Sequence, residues 1–345
     1  MGDVFPKVRV AAFHVASPFL DRDACVEKCC KLIADAAAEG AKLIVFPETF
    51  IPGYPFWIWT HTPATGGPFF FELFANSVEV DSDATRAIGE AARKAGAYVV
   101  VGVSERDGGT LYNTLLTFDD NGDIVARHRK LQPTCVERTV WGRGDGSGLR
   151  VIDTPFGKLG GLICWEHSMD LARYALTSQG EQIHIATWPA GSALSHDPSS
   201  GVFDDLSEAA ARHHAAAGQC FVINVQSRID KATLERLGFA DRPEMMREGG
   251  GWSAIIGPFG NIMEGPHRDD EKMLIADLDL ADIVNFKYVS DSAGHYARPD
   301  VLRLAVDYRE QEIATSFEAG PDTTAPQGES AAWPLRRDET NDNGE

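Results

Sequence analysis

The chain of 345 residues sets 51 acidic against 32 basic side chains, a formal charge of −19. That balance excludes a polyanion-binding role, because phosphate backbones are held by Lys and Arg. Apolar residues make up 43% of the chain, enough for one sizeable core, and no apolar run approaches the ~20 residues of a membrane-spanning helix.

Lys7 to Ala16 (KVRVAAFHVA) reads as a first buried strand. Arg9 and His14 interrupt it as a secretory signal core, and Pro6 stands where a myristoylation motif needs Ser or Thr. Asp21 to Glu39 has apolar residues at helical spacing with Gly40 as the stop. Lys42 to Pro47 (KLIVFP) is a short buried strand. Ser82 to Lys94 is predicted helical, capped by Ser82 or Asp83 and ended by Gly96, and Ala97 to Val103 is again a buried strand. Thr110 to Phe118 and Ile124 to Arg129 flank DDNGD, whose Asn121-Gly122 signals a hairpin turn. Leu149 to Thr154 and Leu159 to Cys164 flank PFGK in the same way.

A helix over Ser168 to Ser178, a strand over Ile183 to Trp188 and a helix over Phe203 to Ala217 follow. Strands at Cys220 to Gln226, Trp252 to Ile256 and Met273 to Leu278 complete the series. Helices between buried strands, with several hairpins, predict an α/β domain with mixed sheets over residues 1–306. From Asp307 the sequence turns polar, and residues 307–345 are expected to be a tail, disordered or engaged in oligomer contacts. The six cysteines show no repeating spacing and fit reduced thiols in a cytoplasm.

Four positions draw attention. Cys164 falls between a strand and a helix, at the strand end where α/β folds bind ligands. There a helix start would favour the thiolate; the alternative is a buried structural thiol. Glu48 ends an apolar run inside FPETFIPGYP, where low polarity would raise its pKa and suit it to proton transfer. Otherwise it is a strand-terminal acid facing water. Lys130, in RHRKLQPT, can supply positive charge to a thiolate and a developing anion, and Glu137, seven residues on, can position it. Tyr54, Trp57, Trp59, Trp165 and Trp188 can build an apolar pocket or fill the core.

Other patterns carry less. WGRGDGSG lacks the Gly-Lys-Ser/Thr ending of a phosphate loop, and DDNGD is a turn rather than a calcium loop. Cys25, Cys29 and Cys30 have no nearby His and read as core packing, not a zinc site. His213-His214, in an Ala-rich helix, reads as surface or interface. There is no GxSxG elbow.

Together Glu48 in FPETFIPGYP, Lys130 in HRKLQPT and Cys164 in GGLICWEH resemble the nitrilase superfamily, whose members share a Glu, Lys, Cys triad in that chain order. PGYP, KLQPTCVERTVWGRGDGS, CWEH and GHYARPDV (Gly294 to Val301) are similar to the nitrilase branch itself, and the resemblance runs from about Val8 to Leu304. His14 departs from the Gln common at that position, and Cys135 sits in a variable spot.

The resemblance implies a four-layer α-β-β-α sandwich. It implies Cys164 as nucleophile, Glu48 as general base and acid, Lys130 as the stabiliser of negative charge and Glu137 as a supporting acid. Tyr54, Trp165 and Trp188 would contact substrate, Glu166 and His167 would support the site, and neither cofactor nor metal would be needed. The implied substrate is a small organic nitrile; cyanide or an amide is the alternative within the fold, and a catalytically idle interaction protein the alternative outside it. A homo-oligomer is implied, dimers building to spirals, with Ser195 to Asp205 and Lys231 to Gly249 as insertions that supply contacts.

Overall fold

The computed structural model describes residues 4–194 and 202–311. Two six-stranded sheets form its centre. The first sheet draws on β1 (Lys7–His14), β2 (Leu43–Val45), β3 (Tyr98–Asp107), β4 (Thr110–Phe118), β5 (Ile124–Arg129) and β12 (Lys272–Asp279), in the order β12-β1-β2-β3-β4-β5. The second takes β6 (Ile152–Thr154), β7 (Gly157–Ile163), β8 (Ile183–Trp188), β9 (Phe221–Gln226), β10 (Ser253–Ile256) and β11 (Ile262–His267), in the order β11-β10-β9-β8-β7-β6. Parallel pairs lie at the heart of each sheet, β1/β2/β3 and β7/β8/β9, and antiparallel pairs flank them.

Strand alternation builds the layers. Val10, Ala12, Leu43, Val45 and Val100 face Ile163, Ile183, Ile185, Ile223 and Val225 in one core between the sheets. Their neighbours Ala11, Phe13, Ile44, Val99 and Val101 point the other way. There they meet Cys25, Cys29 and Ile33 of α1 (Arg22–Ala38) and Ile88 and Ala92 of α3 (Asp83–Ala95). On the second sheet's outer face, Ala186, Val222 and Ala254 pack on Ala211 and Ala215 of α5 (Val202–Gly218). Leu162 packs on α4 (Asp170–Ser178). The result is the expected α-β-β-α sandwich.

Three further helices escaped the sequence reading. α2 (Pro63–Asn76) contains Gly66, Gly67 and Pro68, all breaker signals, yet it starts from a Thr62 cap with Pro63 in its first turn. Leu73, on its inner face, is fully buried. α6 (Lys231–Leu237), capped by Asp230, lies in the expected insertion Lys231 to Gly249, and α7 (Ala281–Lys287) follows β12. Strand β11 was missed because it carries Gly265-Pro266; it lies at a sheet edge, where a missing N–H is tolerated. Of the other expected insertion, residues 195–201 lie outside the described residues. At the far end, the Arg150 guanidinium lies over the Tyr308 ring and the Asp307 carbonyl lies close against Gly146, so packing continues past residue 306; residues 312–345 of the expected tail lie outside the described residues. No helix among the described residues is long and apolar enough to cross a membrane.

Candidate active site

Glu48 leaves the end of β2 in a turn that crosses β3. Phe46 donates its N–H to Val100 (2.9 Å) and Ile51 to Gly102 (3.2 Å), which presses Pro47–Thr49 against Gly102. A Cβ on Gly102 would lie 2.4 Å from both Pro47 O and Thr49 N, so only glycine leaves room for this turn. Lys130 extends β5 by one residue, its N–H bonded to the Asn113 carbonyl on β4 (2.8 Å). Cys164 follows β7 as the first residue of a 3-10 turn, Cys164–Ser168, with φ 53°. The first two groups therefore come from one sheet and the third from the other.

The side chains converge. Lys130 Nζ donates to Glu48 Oε1 (2.9 Å) and Glu137 Oε2 (2.8 Å), and all three groups are buried. Asn113 Nδ2 donates to Glu48 Oε1 (2.6 Å). Glu48 Oε2 has no hydrogen-bond partner among the described residues. Glu137 sits in a second 3-10 turn, Cys135–Thr139, and also accepts from Thr134 N–H (2.7 Å) and Tyr54 Oη (2.8 Å). Trp59 Nε1 in turn donates to Tyr54 Oη (3.0 Å).

Electrostatics divide the roles available to these groups. Burial pushes the Glu48 carboxyl up to about 7, against the pull of Lys130. Burial would strip the Lys130 proton, but Glu137 and Glu48 outweigh it and hold the ammonium well above its ordinary value. Burial, and then the negative charge of Glu48, push the Cys164 thiol well up. The expectation of a helix-stabilised thiolate is thus corrected. α4 begins only at Asp170, and the resting sulfur is a protonated thiol beside a carboxyl poised near neutrality.

A cavity of about 360 Å³ opens over Cys164 and Glu137. Tyr54, Trp59, Thr134, Trp165, Pro189, Leu194, Val202, Phe203 and Leu206 line it. Trp57 does not reach it and packs on Phe69 in the core. Trp188, expected at the mouth, is fully buried: its ring stacks on His167, meets Phe203 edge-on, and donates Nε1–H to Asn224 (2.8 Å).

Glu166 ties the two sheets together at the site. Its carboxylate accepts from Ile163 N–H (2.7 Å), Leu131 N–H (2.7 Å) and His128 Nε2 (2.9 Å). Burial would raise its pKa, but His128 and the two amides hold it below the ordinary value. His214, expected at the surface or an interface, is buried against Glu181 and His184, whereas its neighbour His213 meets Arg173. Glu181, His184 and His214 offer ligand atoms within 4.8 Å of one another, but each is already paired by hydrogen bonds in this cluster. Sequence reasoning also passed over Asn113 and the wall residues Leu194, Phe203 and Leu206. A lone Asn in the buried strand Thr110 to Phe118 was the available signal.

The chain is similar to known proteins in both sequence and fold. The family model described as carbon-nitrogen hydrolase matches residues 9–288. A nitrilase of Pseudomonas syringae pv. syringae (strain B728a) is 44% identical over 299 residues, covering 86% of this chain and 89% of that protein. A nitrilase of Bacillus sp. (strain OxB-1) is 41% identical over 312 residues, covering 89% and 90%. The C. elegans NitFhit crystal structure superposes with a TM-score of 0.69 at 18% identity, over 90% of this chain and 70% of that one, and so shares the fold.

Proposed function

This chain belongs to the carbon-nitrogen hydrolase family, and we propose that it hydrolyses organic nitriles to carboxylic acids and ammonia. The observation that carries the reading is a buried thiol acted on by both a carboxyl near neutrality and an ammonium, at the floor of an apolar cavity. The nitrilase relatives, similar over most of their length, support the same bond.

The chemistry follows from the pKa order. Glu48, as carboxylate, takes the thiol proton as Cys164 Sγ adds to the nitrile carbon, and returns it to nitrogen, giving a thioimidate. The Lys130 ammonium and the Trp165 N–H stabilise the negative charge that builds on nitrogen. Glu48 then activates water, ammonia leaves, and a thioester remains. A second water, activated in the same way, releases the acid and restores the thiol. Glu137 holds Lys130 in place, and the protein groups suffice without a cofactor.

Substrate class follows from the walls. A cavity of about 360 Å³ falls within the ~300–1,000 Å³ of sites for larger ligands, and cyanide would leave most of it unfilled. Tyr54, Trp59, Trp165 and Phe203 fit an aryl or arylalkyl group. Ammonia release is expected from aromatic and arylaliphatic nitriles above short aliphatic ones, and least from cyanide. Release from amides but from no nitrile would replace the reading with an amidase, and release from cyanide alone would remove the aromatic pocket.

Glu48 must be ionised to accept the proton. With its pKa near 7, kcat/KM is expected to rise with pH through about 7, and to fall about tenfold per unit well below it. Initial rates between about pH 5 and pH 9 check this; a flat profile removes Glu48 as the base.

A homo-oligomer belongs to the same reading, supported by the exposed Leu171, Tyr288, Tyr296 and Leu302; sedimentation velocity reads it directly. Six unpaired thiols support a reducing, cytoplasmic setting, which fractionation of the source cells tests.

A further inference from the structure

A buried chain of hydrogen bonds starts at the nucleophile's own carbonyl. His167 Nδ1 lies 2.7 Å from Cys164 O, and its Nε2 lies 2.9 Å from His184 Nε2. His184 Nδ1 lies 2.7 Å from Glu181 Oε1, and His214 Nε2 lies 2.9 Å from Glu181 Oε2. All four side chains are buried.

Donor and acceptor bookkeeping orders the protons. A carbonyl oxygen only accepts, so His167 Nδ1 carries a proton and donates. Burial, then the neighbouring His184, hold the His167 pKa well below its ordinary value, so the ring is neutral and Nε2 accepts. His184 Nε2 must then be the donor. Burial would raise the Glu181 pKa, but His184 and His214 outweigh it and bring it to about 2, so Glu181 is a carboxylate that only accepts. His184 thus bridges the His167 ring and the Glu181 carboxylate. Burial pushes His214 down to about 4, so it is a neutral ring donating from Nε2.

The consequence lies in one peptide plane. The Cys164 carbonyl and the Trp165 N–H belong to the same trans peptide, and they point in opposite directions. Anchoring the oxygen aims the N–H the other way, where it already favours the ionised form of the Cys164 sulfur. Cys164 itself sits at φ 53°, a left-handed conformation that a non-glycine residue adopts only when its surroundings hold it there.

We propose that His167 is a positioning residue: it holds the Cys164 carbonyl so that the Trp165 N–H faces the atom that becomes negative, and the relay His184–Glu181–His214 fixes the ring in the tautomer this needs. Trp188, stacked on His167 at 5.0 Å between centroids, is the platform that keeps the ring upright. The inference rests on the reaction proposed above.

The test compares His167→Leu with His167→Asn, whose amide nitrogen stands where Nδ1 stood. With an aromatic nitrile as substrate, the Leu variant is expected to lose about 10²-fold in kcat, the scale of one oxyanion donor, with KM nearly unchanged. The Asn variant is expected to recover most of that loss. Alkylation of Cys164 by iodoacetamide needs the thiolate that this N–H favours but builds no anion on nitrogen, so in the Leu variant it is expected to slow far less than kcat. Equal losses in the two variants, full kcat in the Leu variant, or a parallel loss of alkylation would overturn the proposal. Ring ¹⁵N shifts of the unmodified protein give a reading that needs no variant: Nδ1-protonated, Nε2-unprotonated His167 is expected. The opposite His167 tautomer, or a stoichiometric metal bound by the purified protein, would overturn the assignment. If the wild-type enzyme turns over no nitrile, the reaction itself fails, and the ring tautomers still judge the relay.

Discussion

Cys164→Ala is expected to abolish ammonia release from every nitrile, by more than about 10⁴-fold in kcat, while leaving the protein folded. The sulfur is the only atom removed, from a site that is 1% exposed, so the stability change is about 1 kcal/mol. Chemistry suffers far more, because water activated by Glu48 would have to attack the nitrile without the covalent intermediate that divides the reaction into easier steps. No neighbouring thiol stands in for it among the residues lining the cavity. Single-turnover assays with an aromatic nitrile, beside a urea titration, separate the two effects. Turnover that survived the substitution would sink the nucleophile assignment.

Lys130→Met is expected to damage both activity and stability. The ammonium is bonded to two buried carboxylates, and its removal leaves Glu48 and Glu137 facing each other without a counter-charge. Breaking a buried pair in this way costs about 3–5 kcal/mol. The cost depends on pH with a definite sign. Glu48 already has a folded pKa raised from 4.5 to about 7 with the lysine present, and losing the lysine raises it further. A group whose folded pKa is raised stabilises the fold below its unfolded value, and that contribution is lost as pH rises through the folded one. The variant should therefore be least impaired near about pH 4.5, and lose ground against wild type as pH climbs through 7. Urea midpoints across that range check it, and adding Glu137→Gln should restore part of the stability but none of the activity. A variant equally stable at every pH would show that the carboxylates do not carry the charge assigned to them.

Much of this site is legible in the chain itself because its members end apolar strands. KLIVF delivers Glu48, the hairpin strand Ile124–Arg129 delivers Lys130, and GKLGGLI delivers Cys164. Periodicity and turn chemistry locate such ends well. They do not show that these ends meet, since Glu48 and Lys130 are 82 positions apart; shared motif order with a known family supplied that expectation. Elsewhere local rules failed for physical reasons. Pro68 and two glycines hide α2, whose stability comes from Leu73 and the aromatic packing beneath it rather than from propensity. His214 looks exposed beside its alanines, because only Glu181, 33 residues earlier, makes its burial tolerable. Trp188 looks like a pocket wall because strand ends usually are; Phe203, which meets its ring edge-on, lines the cavity instead.

The origin of Glu48 and Lys130 on one sheet and Cys164 on the other has a consequence for folding under the proposed reaction. Neither half of the sandwich holds the proposed centre alone: the first carries Glu48 and Lys130, the second Cys164. Return of turnover during refolding is then a clock for the moment the halves dock, not for the formation of either. Buried residues such as Val100 and Ile185, which never approach a substrate, set the gap between base and nucleophile. Changes in this remote packing can accordingly alter reaction rate while leaving the cavity's lining untouched.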